Sequence, residues 1–570
     1  VAPPQPHAEL ARLSADFFQV QHSTDPFTAT LLGVTGFDDR LPDPSRAGGA
    51  AGAARIAEIE ERLGRIDASA LGEADQINHA VLGTLARGAR SDLEHGLWEA
   101  NASAASYVSP QAMAFQSVHT ASLADPDSVD GYLRRLAGLG GYFDAIAQRY
   151  RKAKRDGRLP TAVGVRQAID QLTGHLAAGI EVDALMHPAL PAGAARARAA
   201  GVIEAQVRPA MRRLLTTLCE ELLPVARPDD RVGIRFVPGG EEGYRAAVRR
   251  HTTTELTPEE IHQLGLDCLD ALAQEWAELG GRALGSTDVA ETMRRLREDP
   301  ALRFDRTEEI VAMVGAALHR AEEARADWFP AYDIPQCDIE EINPIEAGYA
   351  PLAYYRPPAA GGARPGAHCV LTADPRRRFT YEYEALAFHE SVPGHHLQIA
   401  SAQTLTGLPE YRRYLDGEVG AYVEGWGLYS ERLADEMGLY TSDVARLGML
   451  SFDALRACRL VVDTGMHHFG WSRARAVDFM WRHTATTEAN VANEIDRYIA
   501  WPGQALGYMV GRREIGRLRA WAQRRLGARF DIRAFHGTVL GNGAVPLGVL
   551  QQIVLRWIDT VAEAAVHHGR

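Results

Sequence analysis

The sequence predicts a mainly α-helical protein with one small β-element, and three observations lead there. Apolar residues recur three and four apart over long stretches. Several of those stretches open with capping residues followed by proline or acidic side chains. A composition of 46% apolar and 24% charged residues over 570 positions is that of a packed globular chain, too apolar for a disordered one. Nowhere do roughly 18 apolar residues run on uninterrupted, the length a membrane-spanning helix needs, so a membrane partner is not expected.

In chain order, the periodicity predicts helices over 8–20, 54–66, 129–151, 195–223, 258–278 and 307–328. The fifth has the clearest start: Thr257-Pro258-Glu259-Glu260 places a capping hydroxyl, an N1 proline and acidic side chains at a helix N-terminus. Gly/Pro-rich punctuation falls near 42–52, 188–193, 237–243 and 357–366. The pattern breaks once, where Tyr354-Tyr355, a Pro/Gly loop and a run over 368–372 read as a hairpin or ribbon. A helix over 381–392 follows, and helices continue to the end.

Acidic residues exceed basic ones by 74 to 61, a net charge of −13. Binding a phosphate backbone calls for a basic face, so nucleic acid is not an expected partner. The five cysteines (Cys219, Cys268, Cys337, Cys369, Cys458) are odd in number, widely spaced and without a C-x-x-C pair. They read as buried thiols of a reducing compartment rather than a disulfide framework. With no basic-then-apolar leader after Val1, a cytoplasmic location is the expectation.

Chemistry concentrates in Phe388-His389-Glu390-Ser391-Val392-Pro393-Gly394-His395-His396. Two histidines near a helical Glu can bind zinc through imidazole nitrogens while the Glu takes a proton from water. The spacing departs from H-E-x-x-H, because the position four after His389 is Pro393. On a regular helix, His395 would sit about 9 Å further along and on the opposite face. Pro393 cannot donate to the His389 carbonyl and its ring clashes there; Gly394 lets the backbone turn. The spacing therefore predicts a broken helix that folds a second imidazole back toward His389, and it leaves His395 and His396 both open as that ligand. A third ligand is sought in Glu424, 35 residues after His389 and beside Gly425 and Gly427, with Glu418 and Glu431 as alternatives.

HESVPGHHLQ followed by VEGWGLYSE resembles the DUF885 family, a group of zincin-like, mostly helical proteins of the gluzincin type, and the likeness extends over most of the chain. The resemblance implies a large helical zincin-like fold with a central cleft and a β-ribbon beside the metal helix. It implies one Zn²⁺ held by His389, His395 and Glu424; relatives often carry Tyr after the second His, which favours His395 over His396. Residues 1–250 would form an N-terminal lobe and cleft wall, and residues 251–570 the lobe with the metal. The expected reaction is hydrolysis of amide bonds in short peptides or peptide-like substrates, with Glu390 as general base. Oxyanion donors are sought among Tyr508, His396, His467 and His468, with Tyr498 behind them. Arg497 and Arg512 are the candidates to grip a substrate carboxylate, and the 368–372 strand to pair with an extended peptide. Relatives often have Asn at the position of Thr372. The alternatives are an amide hydrolase acting on an acylated small metabolite, and a zincin-like binding protein without turnover.

Overall fold

The computed structural model describes residues 6–105, 108–118, 120–342, 347, 350–362, 364–415 and 418–568. The fold is mainly α, with a single three-stranded sheet among the described residues. No described helix is long and apolar enough to cross a membrane.

The anticipated helices form at Pro6–Thr24, Arg46–Leu63, Pro126–Arg155, Pro258–Leu284 and Thr307–Trp328. Capping decides several starts. Thr257 and Glu260 form a reciprocal capping box, as do Asp125 and Ser128. Two expectations are corrected. The helix expected from 54 begins at Arg46, inside the stretch read as punctuation. Its glycines serve close packing: a Cβ on Gly49 would lie 3.3 Å from Trp98, and one on Gly52 3.2 Å from Leu93. The helix expected over 195–223 is interrupted by wide π-turns at Ile203–Val207 and Thr217–Leu222. The first lies just ahead of Pro209, which withholds one backbone donor.

The β-element is richer than a ribbon. Strands β1 (Asp338–Glu341), β2 (Ala353–Arg356) and β3 (Ala367–Val370) are ordered β1-β3-β2, with β3 parallel to β1 and antiparallel to β2. The strand expected to receive an extended peptide is thus the central one, and both its edges are already paired. Thr372, expected at the substrate, is buried just beyond β3 and donates to Glu341 at 2.6 Å. Only the register with β1, a short and largely polar segment, could have revealed this.

One apolar core surrounds the metal-helix candidate. It joins Leu10, Phe17, Val81 and Leu85 to Phe388, Trp426, Leu518 and Leu550, so side chains from both sides of residue 250 meet in it. A second core, including Tyr132, Leu136, Phe143 and Leu214, is built from residues 27–222. All five cysteines are free thiols; four are buried as expected, but Cys219 is exposed.

Candidate metal centre

The helix Tyr383–Glu390 ends where the sequence says it must. Ser391 leaves helical geometry, the Val392–Pro393 bond is cis, and a new helix, His395–Thr404, begins after Gly394. Gly394 is irreplaceable: a Cβ there would fall 1.8 Å from the His389 carbonyl oxygen and 2.4 Å from that of Phe388. The carbonyl of Pro393 accepts hydrogen bonds from Trp426 Nε1 at 2.9 Å and Ser430 Oγ at 3.2 Å, both on the helix Gly420–Glu436 that carries Glu424. The break turns the two imidazoles together, with ring centroids 4.7 Å apart and planes nearly perpendicular.

Glu424 completes the group. Its Oε2 lies 3.5 Å from His389 Nε2 and 3.3 Å from His395 Nε2. Ligand atoms of His389, Glu390 and His395 all lie within 4.8 Å of one another, and the three residues are buried. The small residues beside Glu424 allow this approach. A Cβ on Gly425 would strike the Gly511 backbone at 2.5 Å, and one on Gly427 would come within 2.7 Å of the His389 ring and 3.0 Å of His395.

Glu431, an alternative ligand in the sequence, has a different place. It sits 2.7 Å from His389 Nδ1, whose N–H donates to it, and it is paired with the buried Arg456 at 3.1 Å. That bond orients the ring and turns Nε2 toward Glu424. Burial opposes charge on His389, yet hydrogen bonds to Glu424 and Glu431 hold its pKa up at about 9. Burial likewise works against the Glu424 carboxylate, but the two imidazoles keep it well below the usual carboxylate range. Glu390 is pushed up by burial. Three carboxylates, two of them buried and Glu424 partly so, thus face two imidazoles, and among the described residues Arg456 is the one arginine ion-paired with any of them. The donor set (two imidazole nitrogens and a carboxylate oxygen, with a second-sphere carboxylate on one imidazole) suits a divalent cation of the zinc type.

Of the remaining expected residues, Tyr508 lies at the site. Its ring stacks on His389 at 6.3 Å, the Glu424 carboxylate acts on its hydroxyl electrostatically, and the Arg459 guanidinium lies 4.1 Å from its ring centre. Burial pushes the phenol up to about 12. The structure gives each of the others partners of its own. His396, buried beside His395, uses Nδ1 on Tyr355 at 3.0 Å and Nε2 on the Pro335 carbonyl at 2.8 Å. His467 accepts from Ile234 N at 3.0 Å, donates to the Tyr498 carbonyl at 2.9 Å, and is pushed down to about 4 by burial. His468 pairs with Glu259 at 2.7 Å. Tyr498 is buried against Glu494 and Arg459, and Arg497 binds Glu494 and Gln504 at 3.2 and 2.8 Å. Arg512 is ion-paired with Asp453, which Arg432 also engages. Glu418 accepts from Gln21 on the N-terminal helix.

Arg456 and Arg459 escaped the sequence reading. Their signal was there: two arginines three apart in the helix Asp443–His467, whose other residues from Leu447 to Met466 are all buried and mostly apolar. Arginines in such a run need carboxylate partners.

The chain belongs to the family of bacterial proteins of unknown function DUF885, which it matches over residues 26–554. No curated protein matches it. It is similar to a solved structure described as "the putative lipoprotein from Colwellia psychrerythraea", at 27% identity and a TM-score of 0.89, over 98% of this chain and 100% of that one. A second structure, "a putative lipoprotein of unknown function from Shewanella oneidensis", shares the fold at 18% identity and a TM-score of 0.72, over 96% and 99% of the two chains.

Proposed function

We propose that this protein is a zincin-like, metal-dependent amide hydrolase acting on short peptides or peptide-like amides. One observation carries the reading: the Nε2 atoms of His389 and His395 converge within 3.5 Å on a single oxygen of Glu424, with Glu390 alongside. His389, His395 and Glu424 would hold the ion. Zinc there supplies Lewis acidity, which acidifies water and draws charge from a carbonyl.

The chain's own residues do the rest. Glu431 and Arg456 hold the His389 ring in register. Glu390, whose burial raises its proton affinity, is suited to take a proton from the attacking water and return it to the leaving nitrogen. Tyr508, stacked on His389, would offer its hydroxyl to the oxygen on which negative charge develops, and its high pKa keeps the proton in place.

The test is metal content and turnover measured together. His389→Ala, His395→Ala and Glu424→Ala are expected to lose zinc, His396→Ala to keep it, and Glu390→Gln to keep zinc while losing hydrolysis of a peptide library. Retained metal in the first three, or full activity in Glu390→Gln, overturns the reading. Activity confined to acylated small molecules in a parallel screen would move the substrate class to those amides. The relatives' lipoprotein names favour the cell envelope over the cytoplasm, and fractionation of the native host decides between them.

A further inference from the structure

The helix Asp443–His467 carries two buried arginines three residues apart, and each reaches a different neighbour of the same imidazole. Arg456 pairs with Glu431, which receives the Nδ1 side of His389. Arg459 lies with its guanidinium 4.1 Å from the centre of the Tyr508 ring. That ring stacks on His389 at 6.3 Å, with 20° between the two planes. Residues three apart share a helix face, so one rigid element touches both the carboxylate and the phenol that flank His389.

Arg459 is fixed more firmly than one ion pair requires. Its Nε and Nη2 donate to Glu494 Oε2 at 3.2 and 2.7 Å, and Nε also donates to the Tyr498 hydroxyl at 2.6 Å. Glu494 and Tyr498 sit one turn apart on the helix Glu488–Ala500, where the Tyr498 hydroxyl donates to the Glu494 carboxylate. All three side chains are buried. Nη1 of Arg459, by contrast, is buried with no hydrogen-bond partner. A guanidinium placed only to neutralise Glu494 would turn that nitrogen to an acceptor or to water. Here it forgoes the bond and keeps the Tyr508 ring beside it, a contact that a planar cation makes better than an ammonium. Tyr508 needs such a contact. It is half-buried and only the second residue of the helix Gly507–Leu526, at an end where helices fray.

We propose that Arg459 is a positioning residue of this site: it sets the orientation of the Tyr508 ring and hence where the Tyr508 hydroxyl stands beside His389. The consequence for turnover rests on the amide-hydrolase reading; the placement of the ring does not.

Arg459→Lys is the informative change, because it keeps a cation for Glu494 and removes the planar group beside the ring. The experiment puts 3-fluorotyrosine in place of Tyr508 in the full, metal-free chain and records its fluorine resonance with and without that change. The otherwise unaltered chain is expected to give one line, displaced from that of the same label in the urea-unfolded chain. Arg459→Lys is expected to broaden the line and shift it toward the unfolded position. An unmoved line in a variant that melts like wild type overturns the assignment. If Arg459→Lys melts early, Tyr498→Phe, which frees Arg459 from one anchor and keeps every charge, should move the line in the same direction; an unmoved line there overturns it equally. In the zinc-loaded chain, Arg459→Lys is expected to lower kcat on a cleaved peptide about tenfold, with KM within about twofold and zinc content unchanged. On top of Tyr508→Phe, it should cost less than about twofold more, since without the hydroxyl the position of the ring no longer matters. A full further loss in that background would mean that Arg459 acts by another route, and it too overturns the assignment. A chain that cleaves no amide yet moves its fluorine line on Arg459→Lys keeps the placement and loses the enzyme.

Discussion

Replacing Gly427 by Ala tests whether the imidazoles are held as the structure places them. The added methyl would lie 2.7 Å from Cε1 and Nε2 of His389 and 3.0 Å from Cε1 of His395. Ordinary carbon contacts need roughly 3.5–4.0 Å, so the His389 ring must withdraw by about 1 Å. Metal–ligand distances tolerate only about 0.2 Å, and relieving such overpacking typically costs about 1–3 kcal/mol. At about 1.4 kcal/mol per decade, zinc affinity should fall roughly 10- to 100-fold. Competition with a chelator of known affinity measures this, and a thermal melt of the metal-free chains provides the control. Gly425→Ala supplies the contrast. There the methyl meets main chain, the Gly511 carbonyl carbon at 2.5 Å and the Arg512 nitrogen at 2.8 Å, which cannot rotate away. That variant should lose the fold along with the metal, whereas Gly427→Ala should lose affinity with little change in melting. Wild-type zinc affinity in Gly427→Ala would refute the placement of both rings.

Two further predictions follow from the surroundings of the site. Glu431→Gln should retain the fold but bind zinc about 10- to 100-fold more weakly, because the second-sphere carboxylate on His389 is lost; the same chelator competition reads it, and unchanged affinity would make Glu431 irrelevant to the ion. Asp463, fully buried where Tyr244 and Gly503 N donate to it, has its carboxyl pushed up to about 7 by burial. The folded chain therefore holds a proton there that the unfolded chain, with a pKa near 3.9, has released. Stability from this group is complete below pH ~4 and is lost as pH rises toward ~7, at up to about 1.4 kcal/mol per unit. In urea titrations across that window, wild type minus Asp463→Asn should show this falling difference, and a difference that rises with pH would reverse the sign of the argument.

What was legible in the sequence was local. A helix start was written in Thr257-Pro258, and the break in the candidate metal helix in Pro393-Gly394, because caps and breakers act within a few residues. Periodicity located the helices but not the π-turn ahead of Pro209 or the helical glycines after Arg46, which depend on what packs opposite them. At the site, spacing narrowed the ligands to His389, one of two adjacent histidines, and a later Glu. The family resemblance, rather than the spacing, favoured His395, and the structure gives both ring nitrogens of His396 partners in Tyr355 and the Pro335 carbonyl. The arginines misled for the same reason: nothing near Arg497 or Arg512 in the chain announces that Glu494 and Asp453 neutralise them in the fold. Partners distant in sequence were invisible, and they decide which side chains remain available for chemistry.

The carbonyl of Pro393, pinned by the Trp426 indole and the Ser430 hydroxyl, bolts the hinge between the two histidines onto the segment that carries Glu424, the proposed third ligand. On that reading the socket would be machined before any ion arrives. Unlike a zinc finger, whose architecture collapses on chelation, this one should surrender its ion and take another without refolding, so the metal found in the cell would reflect supply and exchange rather than the order of synthesis.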